Sequence, residues 1–180
     1  MGFDGLRKRF ALRPMQRPHQ AEDELAVVGP ADGRRTYQPA PIDEVGLVRT
    51  PSLPQSNESA DRARYLWVID QTDVPHALEL CEWARSLSSQ RLKHSNLTGG
   101  SPAYFGGELW FVDPQTLIIN FCSGRYGASS QADSAIMDAT VQALLEDGYR
   151  VATTGRDEEN GFLSSRILLG PPAYQSASDG

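Results

Sequence analysis

KHSNLTGGSPAYFGGELWFVDPQTLIINFCSGRYG, residues 93–127, decides the fold. Its centre holds two runs of β-branched and aromatic strand formers, Glu108–Val112 and Thr116–Phe121, on either side of Asp113-Pro114-Gln115. Two such runs around a short turn containing proline predict a β-hairpin. A hairpin there makes the sheet at least partly antiparallel. Glycine pairs precede it, Gly99-Gly100 and Gly106-Gly107, and Ser123-Gly124-Arg125-Tyr126 follows it.

Upstream of the hairpin, Arg64–Asp70 nearly lacks polar alternation and predicts a strand buried on both faces. Asp73 then reads as an N-cap with Pro75 in the first turn. The three- and four-residue spacing of Ala77, Leu80, Cys81, Ala84 and Leu87 predicts a helix from Val74 to about Ser88, with His76 solvated at its start. Gln90–Leu97 reads as a second, shorter strand. Downstream, Ile136, Met137, Thr140, Val141, Leu144 and Leu145 give an apolar face to a helix over roughly Gln131–Glu146. Ser130 and Asp133 resemble a capping box before it, and Gly148 ends it. Tyr149–Thr154 reads as a strand and Phe162–Leu169 as an edge strand. Strand, helix, strand, strand, helix, strand is a βαββαβ-like order. It implies the α+β class: a mainly antiparallel sheet, two helices on one face, and an irregular Gly-rich insertion from Ser88 to Gly107.

Seven of the twelve prolines lie before residue 62, where apolar residues are sparse and unperiodic. Residues 1–61 therefore read as a disordered Pro-rich tail, 62–170 as the domain and 171–180 as a second disordered tail. Its basic start, Gly5–Arg13, reads as a solvated segment, with contact to an acidic or membrane surface as the alternative. Lys and Arg number 17 against 23 Asp and Glu, a net charge of −6. That balance argues against a nucleic-acid partner, which requires cations to displace phosphate counterions. The two cysteines, Cys81 and Cys122, make no disulfide framework, and no apolar run is long enough for a membrane span. A cytoplasmic location is expected, secretion by a non-classical route remaining open.

Polar groups recur at both ends of the hairpin. Gly99 and Gly100 allow backbone N–H groups to approach a ligand, although no lysine follows as in a P-loop. His94 is suited to proton transfer near neutral pH, beside Ser95. Arg125 is suited to gripping an anion bidentately, Tyr126 to stacking on a ring, and Ser123 and Glu108 flank them. Cys122 reads as a buried thiol rather than a nucleophile. The three dispersed histidines and two cysteines lack metal-ligand spacing.

His94-Ser95-Asn96-Leu97-Thr98-Gly99-Gly100, Gly106-Gly107-Glu108 and Ser123-Gly124-Arg125-Tyr126 together resemble a motif set of two protein groups. One is the core domain of plant IQ-motif calmodulin-binding proteins; the other is a set of bacterial Rhs or toxin-associated carboxy-terminal domains. Arg125 stands where that pattern has a second histidine. No IQ motif occurs, so calmodulin binding does not carry over. The resemblance implies a shared pocket without a named reaction. The resulting expectation is an effector- or toxin-like domain binding a nucleotide or another anionic small molecule. His94 and Glu108 would be its catalytic pair, and Ser95, Gly99, Gly100, Ser123, Arg125 and Tyr126 its ligand-binding residues. No cofactor is identified. The alternative is a non-catalytic module that binds a protein partner or serves as an immunity protein.

Overall fold

The computed structural model describes residues 2–41, 62–129, 133–154 and 167–169. The hairpin forms as its sequence requires: β3 (Phe105–Asp113) pairs antiparallel with β4 (Thr116–Asn120), and the Asp113 carboxylate accepts the Gln115 N–H at 2.8 Å in the turn. β1 (Tyr65–Ile69) lies antiparallel on the other side of β3. Glycine is required where they meet. A Cβ at Gly107 would sit 2.1 Å from the Asn120 carbonyl oxygen and 2.9 Å from Cζ2 of Trp67.

Pro75 and an open sheet edge override the helical spacing of residues 74–88. The residue before a proline is pushed out of the α region. His76–Leu78 becomes β2, antiparallel to β1, and Trp83–Ser86 forms a 3₁₀ turn. The apolar residues of the expected helix are still used: Ala77, Ala84 and Leu87 are buried and Cys81 packs beside them, while Leu80 is left exposed. His76 is buried rather than solvated, its Nδ1–H donating to the Val74 carbonyl at 3.1 Å. The strand expected at 90–97 is likewise absent, replaced by a single helical turn, α2 (Ser95–Thr98).

The second helix forms as α3 (Ser134–Glu146), closed by Gly148 at φ +91°. Ser130 lies outside the described residues. Asp133 turns its carboxylate back to the Ser129 N–H at 2.8 Å and to Arg13 at 2.6 Å, so it does not cap α3. β5 (Arg150–Thr154) joins β4 in parallel, and β6 (Ile167–Leu169) adds an antiparallel edge, giving the order β2-β1-β3-β4-β5-β6. The class is α+β.

The expected tail is corrected over residues 2–41. Gly2–Arg9 forms helix α1, whose Phe3 and Leu6 are buried against α3 and the sheet. Tyr37 packs its ring 4.8 Å from Phe3, and its hydroxyl donates to the Asp147 carboxylate at 2.8 Å. Sparse apolar residues suffice here because Phe3, Leu6 and Val28 each reach an existing core. Two helices do cover one face, but α1 takes the place of the helix expected at 74–88. Residues 42–61 and 171–180, with the expectations that fall on them, lie outside the described residues.

On the helical face Trp67, Ile69, Phe105, Leu109, Leu117, Ile119 and Val151 meet α1 and α3. The opposite face presents Leu66 and Val68 to Val28, Leu87, Leu92, Leu97 and Tyr126, which come from irregular segments and the helical turn α2. Beside them Trp110, Ile118 and Ala152 form a smaller cluster. No helix among the described residues is long and apolar enough to cross a membrane.

Candidate functional site

The expected site lies on the face covered by irregular segments. Helical turn α2 ends at Gly99 (φ +65°), and Gly100 (φ +81°) continues the left-handed path, which glycine adopts without steric cost. The loop's N–H groups point inward. Gly99 donates to the Ser95 carbonyl at 2.7 Å, Gly100 to Thr98 Oγ1 at 3.1 Å and Ser101 to the Thr98 carbonyl at 3.3 Å. Leu25 and Val27 of the amino-terminal segment lie against the two glycines; a Cβ at Gly100 would come within 2.8 Å of Leu25 Cδ2. The loop is therefore a packing surface already covered.

At the far end of the hairpin, Ser123 Oγ accepts the N–H groups of Arg125 (3.2 Å) and Tyr126 (3.0 Å), which tightens the turn. The Arg125 guanidinium points into the amino-terminal segment. It donates to the carbonyls of Arg17 (3.0 Å) and Pro18 and pairs with the Glu24 carboxylate; both charged side chains are largely buried. Tyr126 is buried as well. Its hydroxyl donates to the Ser101 carbonyl at 2.9 Å and shares a hydrogen bond with Thr98 Oγ1 at 2.8 Å, and burial raises its pKa. Neither side chain presents a free face to a ligand.

His94 is buried and donates Nε2–H to the Gly107 carbonyl at 2.8 Å, which fixes the neutral tautomer with a bare Nδ1. Burial, reinforced by the charges of Arg125, Lys93 and Arg64, holds its pKa down to about 4. Next in the chain, Glu108 accepts from Asn120 Nδ2 at 2.8 Å and lies 3.8 Å from Arg64 Nε. Arg64 in turn donates to Glu79 at 2.7 Å. His94, Glu108 and Arg125 thus gather in one buried layer together with Arg64, Glu79 and Asn120. The cations and carboxylates there neutralise one another, as buried charges require. Ser95 Oγ is fully buried and has no hydrogen-bond partner among the described residues.

Sequence reasoning missed Arg64, Glu79, Asn120, Asn96 and Glu24. Asn96 ties the amino-terminal segment to the domain: its amide donates to the carbonyls of Asp23 (2.9 Å) and Ala26 (2.8 Å), and its side-chain oxygen accepts the Lys93 N–H at 2.8 Å. Its only signal was a position inside the polar stretch. Glu24 had none, lying in a Pro-rich segment with no periodicity. Cys81 and Cys122 are free thiols, each half-buried. Among the described residues no group of three or more His, Cys, Asp or Glu is arranged to hold a metal ion. A groove of about 510 Å³ between α1 and α3 and another of about 460 Å³ beside Asp4, Asp73 and Asp147 lie elsewhere; neither is lined by an expected site residue.

Fold and site together define a single-sheet α+β domain whose polar stretch is sealed beneath its own amino-terminal segment. Compared with known proteins, the chain matches no family model, no curated protein and no solved structure.

Proposed function

We propose that this chain is a non-catalytic protein-interaction module. One observation carries the reading: the groups suited to a small anionic ligand are engaged internally, above all the Arg125 guanidinium, held by Glu24 and two carbonyls. An arginine saturated by a carboxylate has little to offer a phosphate, and a buried neutral histidine hydrogen-bonded to a carbonyl has no proton path to a substrate. The competing reading, an effector- or toxin-like domain binding a nucleotide, is favoured by the unpartnered Ser95 hydroxyl beside His94.

Thermal melting of the wild-type chain with a panel of nucleotides and dinucleotides decides between them. A ligand at about 100 times its Kd adds about 2.7 kcal/mol, which moves a midpoint by several degrees. No movement is expected. A nucleotide-dependent rise that disappears in Arg125→Ala or His94→Ala overturns the interaction reading in favour of the ligand-binding one.

A further inference from the structure

The amino-terminal segment crosses the polar face as a strap pinned by two β-bridges, Arg13 to Ala103 and Arg35 to His76. Between the pins its regular structure is limited to two short 3₁₀ turns, Glu22–Leu25 and Pro30–Asp32. The domain holds it mostly by its main chain. Asn96 reads the carbonyls of Asp23 and Ala26, and the Val28 N–H returns to the Asn96 carbonyl at 2.9 Å. Arg125 reads two more carbonyls, and its own carbonyl accepts the Gln16 N–H at 2.8 Å. Two side chains of the strap add selectivity: Glu24, on the Arg125 guanidinium, and Val28, fully buried four residues later. Main-chain hydrogen bonds with one charged and one apolar anchor are how domains recognise extended peptides.

We propose that this channel is a peptide-recognition groove occupied in cis. Its partner in trans is an acidic segment able to follow the strap's turned path, with a carboxylate in a 3₁₀ turn four residues before an aliphatic side chain. The proposal rests on the interaction reading above and names its partner class. The strap is then a built-in competitor, and the apparent affinity for a partner falls with the fraction of molecules in which the groove is open.

The test uses the full chain and a fluorescent peptide spanning residues 14–30. Asp23→Ala removes the carboxylate that accepts the Ser88 N–H and hydroxyl, each at 2.7 Å, and so loosens the strap without altering Asn96 or Arg125. Fluorescence anisotropy should show the peptide binding Asp23→Ala about tenfold or more tightly than wild type. Peptides with Glu24→Ala or Val28→Asp should bind that variant about tenfold more weakly than the native peptide. Should Asp23→Ala fail to fold, Gln16→Ala loosens the strap instead, removing its 2.9 Å donation to the Gly127 carbonyl while leaving the groove unaltered. A folded, loosened variant that ignores the peptide, or binds all three peptides alike, overturns the proposal. If wild type also gains no stability from nucleotides, only the groove falls. If a nucleotide stabilises it, the interaction reading falls with it.

Discussion

The two faces of the sheet are covered by different means. One is sealed by helices α1 and α3 over an almost wholly apolar layer. The other is sealed by loops, a helical turn and the strap, over a layer that mixes Leu66 and Val68 with Arg64, Glu79, His94, Glu108 and Asn120. Helices satisfy their own backbone groups, so the surface under them need supply only apolar contact. Irregular chain does not, and its N–H and C=O groups need partners wherever they are buried. Asn96, Ser123, Arg125 and Glu24 meet that need. The polar residues that resemble a binding site are, on this face, what allows irregular chain to act as a lid.

Gly107→Ala tests the seam between the faces and should have the largest effect. The new Cβ would stand 2.1 Å from the Asn120 oxygen, backbone against backbone, so β3 and β4 must separate or slip. A loss of about 4 kcal/mol or more, or failure to fold, is expected in urea denaturation. A mild effect would mean the hairpin register is looser than the packing implies.

Arg64→Met compares the two covers directly. It leaves Glu79 and Glu108 buried without the cation between them and should cost about 3–5 kcal/mol. Leu144→Ala, under the helical cover, should cost about 2–4 kcal/mol. If Arg64→Met proves the cheaper change by denaturant midpoint, the charged layer is dispensable and the contrast between the faces fails.

Acidity should separate the faces next. His94 titrates near 4 when folded and near 6.5 when unfolded, so between these values the unfolded chain binds the extra proton. Stability is fully present above pH 6.5 and declines as pH falls through that window, by about 2 kcal/mol between pH 7 and pH 5. His76, also lowered by burial, acts in the same direction. His94→Gln retains an amide donor for the Gly107 carbonyl and should flatten much of the decline in urea midpoints. Equal midpoints for wild type at both pH values, or an unchanged slope in the variant, would remove His94 from this role.

Legibility in the sequence follows the same division. β1, the hairpin, α3 and β5 announce themselves because their signals are local, continuous runs of strand formers or one apolar helical face. Val74–Ser88 misleads because Ala77, Ala84 and Leu87 are buried by an edge strand and a 3₁₀ turn, at a spacing that happens to suit a helix. The strap was illegible: Glu24 takes its meaning from Arg125, 101 residues away, and Val28 from Asn96, about seventy residues away, and no local pattern records such a pairing. Within the candidate site, the sequence marks the stretch that holds His94, Glu108 and Arg125 but does not record that the amino-terminal segment lies against it. A composition rich in Gly, Ser, His and Arg suits a ligand's oxygens and a peptide's carbonyls equally well.

The smallest effect should come from Gly124→Ala. Gly99, Gly100, Gly107 and Gly124 look alike as letters in one stretch, yet their surroundings differ. A Cβ at Gly124 meets no heavy atom within 4 Å, and its φ lies outside the left-handed region. The substitution should shift stability by no more than about 0.5 kcal/mol. If the stretch were a ligand cradle, Gly124 would be kept for the close approach of a ligand, and alanine there would abolish binding while leaving the fold intact. If the stretch is internal scaffolding, alanine is neutral in the melt and in the peptide assay alike. Gly107 then owes its identity to the Asn120 oxygen and Gly100 to Leu25, and Gly124 is free to vary because nothing packs against it.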